Sequence, residues 1–339
     1  MSKGLDAADF IAQSQGHLTI DVRSPKEFGK GHIPHAVNLP LFNDEERAKV
    51  GTLYKQTGRN EAIEAGLEIV GPKMADFVRF VKPLAKENKI FVHCWRGGMR
   101  SGSMAWLFDT MGYEVYTLKN GYKAYRHLVI EGLGRPAKYI IIGGRTGSGK
   151  TEMLHHLRER GEQILDLERI AHHKGSSFGA LGEKPQPTTE QFENNLYLEM
   201  SKLDLNKTIW LEDESKNIGK CSLTNELWAN MCKAPVKVVD IPLEVRVGRL
   251  VKDYGEMPPE GLEDAIRRIE KRLGNEAMKD ALYNLMEKNL AEVVRITLHY
   301  YDKAYDHSIA VKETKNISIL PFESDDMALI VDTLLRSAQ

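Results

Sequence analysis

Lys138–Leu157 reads KYIIIGGRTGSGKTEMLHHL. A short apolar run gives way to a glycine-rich stretch, and the residues after it return to a helical pattern of apolar and polar side chains. From Gly144 to Thr151 the segment fits GxxxxGK[ST], the pattern of a phosphate-binding loop placed between a strand and a helix. Glycines at Gly144, Gly147 and Gly149 let the backbone approach phosphate oxygens, and the successive amides of Thr146, Ser148 and their neighbours cradle the anion. Lys150 adds a point charge, and Thr151 is placed to bind an ion such as Mg2+ if one accompanies the phosphate.

Downstream the alternation continues. QILDL, TIWLED and VKVVDIP are strand-like, and each is followed by a helix-like segment, which predicts a parallel sheet. From Gly261 onward the pattern reads as helical, with EGLEDAIRRIEKRLG the clearest case. Asp166 falls at a predicted strand end, which in a doubly wound sheet borders the ligand crevice. Glu212 and Glu214 end another strand, where a metal-holding acid of a nucleotide site would stand; a solvated sheet edge accounts for them equally well. His172 and His173 are adjacent, which is not a metal-ligand spacing, and a solvated loop is the expectation for at least one of them.

Upstream, EGLGRPAK (Glu131–Lys138) breaks the periodicity and reads as a linker. This divides the chain into residues 1–130 and 138–339, and a length of 339 residues suits two ordinary domains. The first part has its own strand-like runs, LTIDV, KIFVHC and EVYTL, and so its own parallel sheet. After Cys94, the positions Met104, Leu107, Phe108 and Met111 share one face of a predicted helix.

KIFVHCWRGGMRSGSMAWLF (Lys89–Phe108) therefore reads as a buried strand, a glycine-containing loop that begins at Cys94, and a helix. Loop amides and a helix N-terminus pointing at the sulfur favour thiolate, and Arg96 and Arg100 add positive charge. An isolated cytosolic cysteine is more often a small buried hydrophobe; the strand–loop–helix context with two arginines reverses that reading. The other cysteines, Cys221 and Cys232, complete a set of three with neither CxxC pairs nor a disulfide framework, so no metal site is expected from them.

The composition is 42% hydrophobic and 28% charged, with no apolar run long enough to span a bilayer and no secretory signature at the N-terminus. A cytoplasmic location is the expectation. The net charge of -1 gives no global nucleic-acid signature, but a local basic face can act within a neutral protein. Arg267, Arg268, Lys271 and Arg272 cluster on about one and a half turns of a predicted helix and suit backbone phosphates. A solvated face balanced by Glu263, Asp264 and Glu270 is the competing reading. Arg246 and Arg249 lie one turn apart after a strand, within reach of a diphosphate in the phosphate loop. Tyr300, Tyr301 and Tyr305 suit base stacking or a helical core.

CWRGGMRS resembles the active-site loop of rhodanese domains, and DVRSPKEFGKGHIPHAVNLP resembles the first signature of that family. Asp21, Arg23, Glu27, Gly31, His32, Ile33 and Pro34 stand where the family pattern has them; His35 replaces its usual glycine. The resemblance implies that Cys94 is the chalcogen-carrying nucleophile, with Arg100 beside it and Asp21 and Arg23 supporting the loop. The whole chain, a rhodanese-like domain ahead of a P-loop α/β domain with a helical C-terminal part, resembles the bacterial tRNA 2-selenouridine synthase family. NDEERAKVGTLYKQTGRNEAIEAG, NGYKAYR, LERIAHHKGSSFG, QPTTEQFEN and EDESKNIG carry the likeness beyond the two generic motifs.

That resemblance implies a tRNA substrate with 2-thiouridine at the wobble position. It implies geranylation of the sulfur from geranyl diphosphate, and then replacement of the geranylthio group by selenium from selenophosphate. A selenophosphate-producing enzyme would be the source of the second donor. Two rivals stand beside this reading. One is a P-loop kinase or NTPase with an attached sulfur-transfer module; the other is a non-catalytic tRNA-binding protein whose cysteine loop is a relic.

Overall fold

The computed structural model describes residues 2–312, 314 and 316–338. By internal contacts the chain forms two compact units, Met1–Gly132 with Glu193–Asn195, and Leu133–Phe192 with Leu196–Gln339. No helix among the described residues is long and apolar enough to cross a membrane.

In the first unit, strands β1 (Lys3–Leu5), β2 (Leu18–Asp21), β3 (Val37–Asn38), β4 (Lys89–His93) and β5 (Glu114–Leu118) form a sheet of order β1-β5-β4-β2-β3. Every pairing is parallel. The central strands are near-continuous apolar runs because helices cover both faces. Ile20, Val22, Ile90 and Val92 are fully buried and pack with Met104 and Phe108 from the helix Met99–Thr110. The sequence pattern puts Met111 on that same apolar face, but the helix ends at Thr110 and Met111 is 53% exposed at its C-terminus. The segment Asn43–Gly66 folds into the helices Asp44–Gln56 and Arg59–Val70, the first started by a capping box between Asn43 and Glu46.

The second unit holds β6 (Lys138–Gly143), β7 (Gln163–Leu165), β8 (Thr208–Glu212), the short antiparallel pair β9 (Asn217–Ile218) and β10 (Cys221–Ser222), β11 (Val236–Asp240) and β12 (Ile317–Pro321). Its main sheet runs β12-β11-β6-β8-β7 and is parallel throughout. Ile140, Ile142, Leu157, Trp210 and Val239 form the core between this sheet and its helices. β6 lies between β8 and β11, so the chain leaves it at the point where the strand order switches direction, the place such sheets reserve for a ligand.

Two features of the C-terminal part differ from the helical reading of the sequence. The basic stretch is not one helix: Pro259–Arg268 and Glu270–Leu273 are separate, broken at Ile269. Ile269 is itself 2% exposed, so burying its side chain fixes the bend. Beyond the helix Leu290–Ala310, the chain returns to the sheet as β12 before the helix Met327–Ser337. Its five residues form an edge strand that is partly exposed along its length, and the apolar periodicity is correspondingly weak.

His35 closes the turn in which the Ala36 N–H donates to the Ile33 carbonyl at 3.0 Å. Its φ of 68° is left-handed, which explains why glycine suits this position. His35 is exposed, so no packing compensates for the strained backbone. His35→Gly is expected to stabilise the protein by roughly 0.5–1 kcal/mol. A urea midpoint that moves down instead of up would show that the turn carries no such strain.

Candidate functional site

Cys94 follows directly on β4 and is 3% exposed. Its Sγ lies 3.2 Å from Ser101 Oγ. Burial pushes the thiol up, but hydrogen bonds from the Ser101 hydroxyl and from the amides of Arg96, Gly98 and Ser101 outweigh it and hold Cys94 below the ordinary thiol range. The loop's first carbonyls are taken up by another segment: the Tyr122 N–H donates to the Cys94 carbonyl at 2.8 Å, and the Lys123 N–H to the Trp95 carbonyl at 3.1 Å.

Glycine is required on both sides of that contact. Gly97 has a φ of 64°, and a Cβ there would come 2.6 Å from the Leu118 carbonyl oxygen. Gly121, with a φ of 60°, lies against the Cys94 carbonyl and the amides of Arg96 and Gly97. Its part in the NGYKAYR stretch is thus to let the loop backbone close.

The two loop arginines differ. Arg100 is paired with Glu27, Nη1 to Oε2 at 2.7 Å, and its positive charge interacts electrostatically with Cys94. Arg96 offers the sulfur its backbone amide, and its side chain is exposed. Beneath the loop, Arg23 binds Asp21 through Nε at 3.0 Å and Nη2 at 2.6 Å, and Nη2 also donates to the Gly31 carbonyl at 2.7 Å. The guanidinium stacks on Tyr122 at 3.8 Å. Both ions are essentially inaccessible to solvent, so they are scaffold and not substrate contacts. His93, also fully buried, lies 3.8 Å from Asp21, and burial pushes its imidazole toward the neutral form. Nothing in the sequence singled it out, because a strand-end histidine has no distinguishing pattern.

In the second unit the helix Lys150–Glu159 begins as the phosphate loop ends, and Gly144, Gly147 and Gly149 all have positive φ. Lys150 Nζ donates to the Gly144 carbonyl at 3.2 Å, and Thr151 Oγ1 donates to Glu168 Oε2 at 2.9 Å. Ser148 is fully buried and its hydroxyl has no partner. Residues far away in sequence hold the loop. The Gly144 N–H donates to the Tyr305 hydroxyl at 2.7 Å. Arg246, 3% exposed, is bidentate to Asp302 at 2.7 and 2.9 Å and donates to the Thr146 carbonyl at 3.1 Å. Arg145 binds Asp240 and Asp306.

Arg246 is therefore a brace for the loop, its guanidinium committed to protein oxygens. Arg249 lies against Gly149 and is paired with Glu152 and Asp325. Tyr305 belongs to the loop's supports; Tyr301 accepts from the Ser177 N–H at 3.2 Å. Both contacts tie the helix Leu290–Ala310 to the site, a pairing that no local motif announces.

The strand-end acids gather together, and Glu214 among them also feels the charge of Lys150. Glu212 is fully buried, not part of a solvated edge; burial, then the charges of Asp166, Glu168 and Glu214, push it well above the carboxylate range. Glu214 is pushed up to about 8 by burial and by Glu168, against the pull of Lys150. Asp166 caps the helix Leu167–Ala171 through the Arg169 N–H at 2.8 Å and binds His155 Nε2 at 2.9 Å. His172 ends that helix in a left-handed conformation, and His173 is buried. Among the described residues no group of three or more His, Cys, Asp and Glu side chains is arranged to hold a metal.

The basic stretch is exposed. Arg267 is paired with Glu263 at 2.6 Å, Arg268 donates to the Ser177 carbonyl at 3.3 Å, Arg272 donates to Tyr300 at 3.4 Å, and Lys271 faces solvent.

Fold and loops together define a two-domain protein, a rhodanese-like domain followed by a P-loop α/β domain. A family model described as the tRNA 2-selenouridine synthase AAA domain matches residues 137–330, and one described as a rhodanese-like domain matches residues 6–128. A protein of Sulfurovum named tRNA 2-selenouridine synthase is 36% identical, over 86% of this chain and 88% of its own length. Relatives of the same name from Aeromonas salmonicida and Nitrosomonas europaea are 35% and 38% identical, over 87% and 78% of this chain and 88% and 70% of theirs. The chain belongs to the tRNA 2-selenouridine synthase family.

The lowered Cys94 thiol has a kinetic signature. Its alkylation by iodoacetamide should reach half-maximal rate below the pH of an ordinary thiol. Ser101→Ala, which removes one hydrogen bond to the thiolate, should move that midpoint up by about one pH unit. An unshifted midpoint would mean that the Ser101 hydroxyl does not stabilise the thiolate.

Proposed function

We propose that this enzyme is a tRNA-modifying transferase that converts wobble 2-thiouridine to 2-selenouridine through an S-geranyl intermediate. The observation that carries the reading is the presence in one chain of two glycine-bent strand–loop–helix turns, one beginning at a Cys94 sulfur held by backbone amides and the other carrying Lys150. In the first step the thiouridine sulfur attacks C1 of geranyl diphosphate. The new C–S bond replaces the C–O bond, diphosphate departs with the bonding electrons, and the base loses its N3 proton. Lys150 and the amides of Gly144–Thr151 stabilise the departing charge. In the second step the Cys94 thiolate attacks C2 and geranylthiolate leaves and takes up a proton; the selenium of selenophosphate then displaces Cys94 from C2, and water cleaves the Se–P bond to release phosphate and the 2-selenouridine. Alkylation makes this exchange feasible, because it turns a poor thiocarbonyl leaving group into a thiolate. Cys94 is the nucleophile of the selenium side.

Thr151 and Glu168 are oxygen donors that fit Mg2+ together with diphosphate oxygens, and such an ion would add charge at the leaving group. No NTP hydrolysis enters this scheme. Arg267, Arg268, Lys271 and Arg272 are exposed cations suited to the tRNA backbone. Cys221 takes no part: burial pushes its thiol up to about 11.

Mass spectrometry of tRNA nucleosides from cells complemented with variants tests the division of labour. Lys150→Ala should lower geranylation about a hundredfold, corresponding to the loss of roughly 3 kcal/mol of leaving-group stabilisation. Cys94→Ala should permit geranylation and accumulate S-geranyl nucleoside, while Cys221→Ser and Cys232→Ser leave 2-selenouridine at normal levels. Accumulation of the intermediate in Lys150→Ala, or its absence in Cys94→Ala, would contradict separate roles.

A further inference from the structure

The main sheet of the second unit has two ends, and the phosphate loop uses only one. At the other, where β6, β8 and β11 begin, lies an open cleft of about 440 Å3. Lys138 and Lys233 stand on its walls with Asn230 and Thr208, and no acidic side chain lines it. Lys207 and Arg135 adjoin it in sequence, one residue before Thr208 and Pro136. All four cations are exposed. Among the described residues none of them pairs with a carboxylate. Asp204, the acid nearest to Lys207 in sequence, accepts from the Asn206 N–H at 3.0 Å. The basic stretch after Gly261 is different, because Arg267 there is already paired with Glu263. The rim of the cleft is also fixed in place: Asn230 donates to the carbonyls of Gly134 and Arg135 at 3.3 and 3.5 Å, and Lys138 lies in register with Thr208.

We propose that this cleft is a docking surface for the phosphate backbone of the tRNA substrate. The proposal rests on the reading of tRNA as the substrate. Unpaired cations gathered at one edge repel one another, and a polyanion relieves that repulsion while releasing its own counterions. Two observations favour a polymer over a small anion. The helix Asn225–Lys233 ends here, and the partial negative charge of its C-terminus disfavours a lone phosphate seated deep in the cleft. Phosphates that meet the lysine ammonium groups at the mouth avoid it. The six residues of β6 also separate the cleft from the phosphate loop, about 17 Å along the strand. A small molecule held here takes no part in chemistry at that loop, whereas a nucleic acid is long enough to be gripped at this end and to react elsewhere. Such contacts fix register and affinity and leave the choice of base to other residues.

Filter binding of end-labelled bulk tRNA to the full-length protein, repeated over a series of salt concentrations, tests this. Lys138→Gln combined with Lys233→Gln should lower the slope of log affinity against log salt by about 1.5, and weaken binding roughly thirtyfold at about 0.1 M salt. Lys138→Arg combined with Lys233→Arg, which keeps both charges, should bind as the wild type does. Both lysines are exposed, so the thermal midpoint of each double variant should match the wild type and show that it is folded. If the wild type binds tRNA and the glutamine variant keeps its affinity and slope, the cleft serves another partner, an acidic protein included. The docking surface is then wrong, while tRNA as substrate stands. A loss of affinity without a change of slope would mean that no phosphate contact was removed, and would equally overturn the proposal. If the wild type shows no salt-dependent binding of tRNA, both readings fail.

Discussion

An amide that points at an anion cannot also serve a helix or a sheet, so a loop built to hold negative charge needs a backbone bent out of both. That constraint shapes each unit of this protein. At Cys94 the chain turns through Gly97 and packs on Gly121, both with positive φ, so that three amides reach the sulfur. At the phosphate loop Gly144, Gly147 and Gly149 do the same ahead of a helix N-terminus. In both places the loop leaves the C-terminal end of a central parallel strand, where neighbouring strand ends supply the supporting groups.

Such loops are not held by regular hydrogen bonding, and buried ions take over. Arg23 and Asp21 tie β2 to the segment before β3, directly under the cysteine loop. Arg246 and Asp302 join two helices to the Thr146 carbonyl. A buried pair of this kind contributes little net stability compared with apolar packing, yet removing one partner costs about 3–5 kcal/mol. The benefit is geometric: an arginine with several fixed acceptors sets the position of a loop that propensity leaves undefined.

What could be read from the sequence follows the same division. Both loops are contiguous, and their glycines, lysine and cysteine stand at fixed spacings, so the parallel strand–loop–helix architecture was legible from Lys89–Phe108 and Lys138–Leu157 alone. Their supports were not. Tyr305 reaches Gly144 across 161 positions, and Arg246 pairs with Asp302 across 56. On the sequence the tyrosines suited base stacking or a helical core and the arginines a diphosphate, because a side chain's type does not reveal which way it faces. Glu212 was ambiguous for the same reason: a carboxylate at a strand end reads as solvated until the neighbouring loop is seen to bury it. β12 and the break at Ile269 were hidden by weak or interrupted periodicity, the first at a sheet edge and the second within an otherwise helical run.

If each loop is an independent amide cradle, each should respond to its own anion. Hydrogen–deuterium exchange of the full-length protein measures those amides directly. Geranyl diphosphate should slow exchange in peptides covering Gly144–Thr151 and leave Arg96–Ser101 unchanged, whereas selenophosphate should protect Arg96–Ser101. Protection of the cysteine loop by the diphosphate, or of neither loop by its anion, would contradict the account.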